Sequence, residues 1–195
     1  LIEKGAEVEA RDEDGWTPLH SSAWDNSLDV ARLLIEKGAE VEAKNKFSRT
    51  PLHVAAWNNS TDAARLLIEK GAEIHARDED GTTPLHWAAS NNSTDVARLL
   101  IEKGAKVDAR TMYRETPLHY ATRGESFEVA KLLVDHGADV NAWNHLGWTP
   151  LDHVIFFAFE KNLVKEGDIL DMLPENYHHV SILKFDKKDF VGMSN

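Results

Sequence analysis

The tetrapeptide Thr-Pro-Leu-His recurs every 33 residues, at 17–20, 50–53, 83–86 and 116–119, and returns altered at 149–152 as Thr-Pro-Leu-Asp. A Gly-Ala pair keeps the same step, at 5–6, 38–39, 71–72, 104–105 and 137–138. The text between these markers is nearly copied, as in DVARLLIEKGAEVEA from Asp29 and DVARLLIEKGAKVDA from Asp95. A constant period of this length rules out one irregular globule. It requires a stack of small units, each packed only on its neighbours.

Residues 44–76 show how one unit works. Thr50 is suited to cap a helix, and Pro51 to open it where a missing N–H is no loss. Leu52, Ala55 and Ala56 give that short helix an apolar face, and the alanines let a neighbour approach closely. Asn58 and Asn59 end it, because Asn tolerates the left-handed turn that follows. A second helix from about Thr61 to Lys70 buries Ala64, Leu67 and Ile68 at helical spacing, and Gly71 closes it. Asp80-Gly81 then forms the finger turn of the next unit. A lone unit leaves one face of its helices bare, so stacking makes the core.

The period and the repeated TPLH core resemble the ankyrin-repeat family from residue 1 to about residue 153. The resemblance implies an all-α solenoid of helix-turn-helix units with short β-hairpin fingers. The stack is expected over 1–153, with a partial first repeat and repeats starting near 11, 44, 77 and 110. A divergent capping repeat is expected at 143–185 and a tail at 186–195. Leu1 falls where Leu34 and Leu67 fall, inside a second helix, so the chain is read as starting mid-repeat. The resemblance also implies a non-catalytic scaffold that receives a protein partner in a concave groove formed by fingers and first helices. Two other readings are a targeting arm of a larger enzyme and a structural spacer.

Acidic residues outnumber basic ones 33 to 22, a formal net charge of -11. That opposes binding to nucleic-acid phosphates and suits a protein partner with basic and apolar surface. Cysteine is absent, which excludes disulfides and thiolate chemistry. The longest apolar run, VIFFAF, is too short to span a bilayer. A monomer is expected, intracellular, in cytoplasm or nucleus. His20, His53, His86 and His119 sit one per unit, too far apart to share a zinc, and the resemblance makes them structural hydrogen-bonding residues. His178-His179 has no second ligand pair at useful spacing. No phosphate loop, nucleophile elbow or zinc helix is present, so no enzyme activity, metal or cofactor is expected.

In the repeat register all six tryptophans lie on fingers or first helices. Trp16 and Trp148 immediately precede the TPLH threonine, Trp24 and Trp57 end the first helix, Trp87 follows His86, and Trp143 precedes a finger. Trp16, Trp24, Trp57, Trp87 and Trp148, with Phe47, Arg49, Tyr113, Tyr120 and Arg123, are the candidate partner contacts, since Trp, Tyr and Arg carry much interface energy. Phe156 occupies similar ground. Trp87, one turn into its helix, suits packing as well as binding. The acidic finger tips, Asp12 to Asp14 and Asp78 to Asp80, either meet basic groups of a partner or fix their own loops. By resemblance, Asn141 matches a position that ankyrin repeats can have hydroxylated, although an ordinary turn residue is the preferred reading.

Several positions depart from the pattern. Ser48 and Arg114 replace the finger glycine, which predicts that the second and fourth fingers bend differently. Ser22 replaces a groove-side alanine. Gly124 comes one position before the usual interhelical turn. Asp152 replaces the fifth histidine, and the helix from Pro150 is expected to run on to about Lys165. DILDMLPENY is expected to supply a short second helix.

Overall fold

The computed structural model describes residues 7–160, with side chains through Ile155. Among these residues nine helices follow one another, eight in four pairs and the ninth alone. The first members are α1 (Pro18–Trp24), α3 (Pro51–Trp57), α5 (Pro84–Ser90), α7 (Pro117–Arg123) and α9 (Pro150–Glu160). The second members are α2 (Leu28–Glu36), α4 (Thr61–Glu69), α6 (Thr94–Glu102) and α8 (Phe127–Asp135). Each first helix packs on the next first helix, and each second helix on the next second helix, so the chain builds two parallel rows. No strand occurs among the described residues, so the expected β-hairpin fingers are hydrogen-bonded turns instead.

The alanines explain the close rows. Ala23, Ala55, Ala56, Ala88, Ala89 and Ala121 are fully buried between helices that run side by side. Leu19, Leu52, Leu85 and Leu118 fill the space between rows. Ser22 is also buried, and its hydroxyl donates to the Leu19 carbonyl at 2.9 Å, so the substitution for alanine leaves no polar group unpaired. The interhelical turn places Asn26, Asn59 and Asn92 at φ of 52°, 53° and 51°. Each of these side chains then caps the next unit: the backbone N–H groups of Ala63, Val96 and Val129 donate to them at 3.0, 3.1 and 3.3 Å. In the fourth unit Glu125 takes the left-handed position at φ 54°. Gly124 beside it is required by proximity, since a Cβ there would lie 2.2 Å from the Ser90 carbonyl oxygen.

The fingers overturn the expectation drawn from Ser48 and Arg114. Both hold the left-handed conformation of the glycines they replace, at φ 59° and 61° against 78° for Gly15. The turn bond is also conserved: Gly15, Ser48 and Arg114 each donate N–H to the carbonyl three residues back at 3.0 Å. These fingers therefore bend alike, and the two side chains sit in a costlier region of φ.

The last helix begins as expected, and Asp152 explains why the pattern changes there. Its Oδ2 accepts the Thr149 N–H at 2.6 Å and the Thr149 hydroxyl at 2.8 Å, as a histidine ring nitrogen does in the earlier units. A carboxylate has no N–H to send onward to a following unit. The expected start within a repeat at Leu1, the helix beyond Glu160, the second helix in DILDMLPENY, His178-His179, the Phe156 side chain and the 186–195 tail all lie outside the described residues.

Candidate functional site

The histidines that hold the stack together also set out the groove. In each unit the TPLH imidazole Nδ1 accepts from the threonine N–H and hydroxyl, for His53 at 3.1 and 2.9 Å from Thr50. Nε2 therefore carries the proton and donates to a carbonyl 29 residues on: His20 to Arg49 (3.0 Å), His53 to Thr82 (3.1 Å), His86 to Glu115 (3.2 Å) and His119 to Trp148 (3.0 Å). Burial favours the neutral ring and pushes the pKa of His53 and His86 down from 6.5 to about 4, against the opposing pull of the backbone acceptors. His20 and His119 are lowered by the same cause.

The acceptor in every case is the residue immediately before a TPLH threonine. Its backbone serves the stack, so its side chain is free to vary: Trp16, Arg49, Thr82, Glu115 and Trp148 occupy that position in successive units. Two further positions face the same way on the first helix. One carries Val54, Trp87, Tyr120 and His153; the other carries Trp24, Trp57, Ser90 and Arg123.

Across the first three units these positions converge. Trp16, Trp24, Arg49, His53, Val54, Trp57 and Trp87 line one cleft of about 310 Å³. Trp16 and Trp24 lie 6.0 Å apart between ring centroids, and Trp57 meets Trp87 edge-on at 5.0 Å. The Arg49 guanidinium lies 4.2 Å from the Trp87 ring centroid and 5.1 Å from that of Phe47. Trp24 is 39% exposed, while Trp16, Trp57 and Trp87 are half-buried.

Asp78 anchors this arrangement from below, a role the sequence reading did not give it. Its Oδ1 accepts the backbone N–H groups of Asp80 (3.1 Å) and Thr82 (2.8 Å). Its Oδ2 accepts the Trp87 indole N–H at 3.2 Å and stands 3.7 Å from Arg49 Nε. The register contained a signal, since Asp12, Asn45 and Asn144 occupy the same place and likewise each accept two N–H groups of their own finger. Asp12 and Asp78 are thus loop-fixing residues, in keeping with the blander of the two sequence readings.

The remaining candidates fall outside the cleft. Tyr120 stacks edge-on to His86 at 5.1 Å, and its hydroxyl lies 3.4 Å from the Thr82 hydroxyl. Arg123 covers Tyr120 at 4.6 Å and pairs with Glu115 at 2.8 Å. Trp148 is 6% exposed and packs on His153 at 5.3 Å, so its place in the structure is that of a packing residue. Tyr113 is 43% exposed on a finger tip, against His145 at 5.4 Å. Trp143, 49% exposed, carries Arg114 at 3.7 Å from its ring centroid. Asn141 is exposed, and it borders a second apolar groove with Leu118, Val134, Leu151 and Val154. Among the described residues no three His, Asp or Glu side chains converge as metal ligands, and no helix is long and apolar enough to cross a membrane.

Family models described as Ankyrin repeats (3 copies) match residues 1–45 and 41–111, and one described as Ankyrin repeat matches residues 113–145. No curated protein matches the chain.

Proposed function

Because the chain belongs to the ankyrin-repeat family, we propose that it is a non-catalytic protein-interaction module whose partner docks in the tryptophan cleft of the first three units. One observation carries this reading: Trp16, Trp24, Trp57 and Trp87 gather on one cleft, and each keeps part of its side chain in water. Large aromatic groups kept partly in water are costly to leave uncovered and repay coverage by a partner. Tryptophan and arginine at the centre of a contact are also the residues whose loss most weakens binding.

The test is affinity capture from a cell extract, with the full chain run beside a Trp16→Ser, Trp24→Ser, Trp57→Ser variant and folding of both followed by circular dichroism. The expected result is a protein retained by the parent and lost by the folded variant. Equal capture by both moves the contact to the second helices or beyond, and capture by neither favours a spacer.

A further inference from the structure

The cleft's hydrogen-bonding inventory limits what can fill it. His53 is fully engaged, its Nδ1 by Thr50 and its Nε2 by Thr82. The Trp87 indole N–H is taken by Asp78. Among the described residues no atom accepts from the indole N–H groups of Trp16, Trp24 or Trp57, and those of Trp16 and Trp57 are open to solvent. Among the described residues Arg49 makes no side-chain hydrogen bond; its buried Nε stands 3.7 Å from its ion-pair partner Asp78, and its two terminal nitrogens are open to solvent. Every unspent polar side-chain group lining this site is therefore a donor. A guanidinium held over an aromatic ring can keep its terminal N–H groups available in a fork that matches a carboxylate. The surrounding surface is ring face and Val54, so the rest of the occupant must be apolar.

Resting on the reading of this cleft as a docking site, we infer that its occupant is an extended protein segment that presents an aspartate or glutamate carboxylate to Arg49 beside a large apolar side chain lodged among the tryptophans. The cleft draws on three successive units, which suits a segment passing through it rather than one ending in it. The acidic finger tips lie outside the lining residues, so basic groups of a partner would meet them beside this site rather than within it. Lysine in the occupant's acidic position would face Arg49 with like charge and leave the indole donors unmet.

The experiment uses the isotopically labelled full chain and reads its tryptophan indole N–H resonances. The probes are short N-acetylated, C-amidated peptides that carry Phe-Glu, Phe-Gln or Phe-Lys at the centre, and one that ends in a free Phe carboxylate. The Phe-Glu peptide is expected to shift the Trp16, Trp24 and Trp57 signals and to bind about tenfold more tightly than Phe-Gln, a discrimination of the size one charge-assisted pair supplies. Arg49→Gln is expected to erase that preference and keep the fold, because the stack uses the Arg49 carbonyl. Equal or tighter binding of Phe-Gln or Phe-Lys at the same signals overturns the carboxylate inference while leaving the docking site intact. Preference for the free C-terminal carboxylate overturns the through-running segment. No shift with any peptide, together with capture that ignores the three serine changes, overturns both readings.

Discussion

The cleft of the first three units and the equivalent surface of the last two use the same register positions, but the polar ends of their side chains are treated in opposite ways. Toward the C-terminal end, Arg123 meets Glu115, the Tyr120 hydroxyl meets Thr82, and Trp148 is covered. Toward the N-terminal end, Arg49 reaches Asp78 only as an ion pair at 3.7 Å and makes no hydrogen bond, three indole N–H groups have no acceptor among the described residues, and Trp24 stands 39% exposed. A shared backbone scheme allows this divergence. The histidine chain asks each position only for a carbonyl, so one surface can spend its side chains on internal pairs while the other keeps them available. Aromatic content alone therefore does not mark the proposed binding half. What distinguishes it is aromatic content with unspent donors.

The largest expected effect falls on the frame beneath both halves. The unfolded chain takes up protons on its histidines near 6.5, whereas folded His53 and His86 do so only near 4. Between those values the unfolded state binds more protons, so stability is fully present above pH 6.5 and declines as pH falls toward 4. At pH 5 the two residues together should cost on the order of 4 kcal/mol relative to pH 7. His153, pushed down to about 3 chiefly by burial, acts in the same direction. Urea unfolding at the two pH values measures this, and a flat profile would contradict protonation at Nε2 alone.

A pair of substitutions then separates the halves. Trp148→Ser empties a covered site and should cost about 3 kcal/mol. Trp24→Ser removes a side chain already facing water and should cost about 1 kcal/mol, while its effect on partner capture is the larger of the two. Thermal or urea unfolding of both variants gives the comparison, and equal losses would mean that Trp24 is a packing residue after all. A finer distinction comes from the arginines. Arg123→Ala strands the mostly buried Glu115 carboxylate and should cost about 1–2 kcal/mol. Arg49→Ala leaves Asp78 with three N–H donors and should cost about 0.5 kcal/mol, chiefly the lost contact with Trp87. Unfolding free energies in that order would support the contrast; the reverse order would assign Arg49 to the frame.

The sequence by itself determined the architecture and its register. A 33-residue period with Pro at helix starts and alanine on the first helices admits only a stack, because each local choice repeats the same demand for a neighbour. The asparagine turns were legible for the same reason, since they depend on residues a few positions away; the family resemblance supplied the structural role of the TPLH histidines, and the finger acids were left between two readings. Only the tertiary structure decided what the variable positions do. Trp16 and Trp148 occupy equivalent places, yet one lines a cleft and the other is covered, with His153 against its ring. Ser48 and Arg114 kept a glycine's conformation since the bonds between adjacent fingers outweigh one residue's φ preference. Arg49 came to lie over Trp87, a residue of the following unit, with Asp78 beneath. Repetition settles the backbone from local rules, but a groove is read across units, where no single repeat contains the pairings that decide which donors remain free.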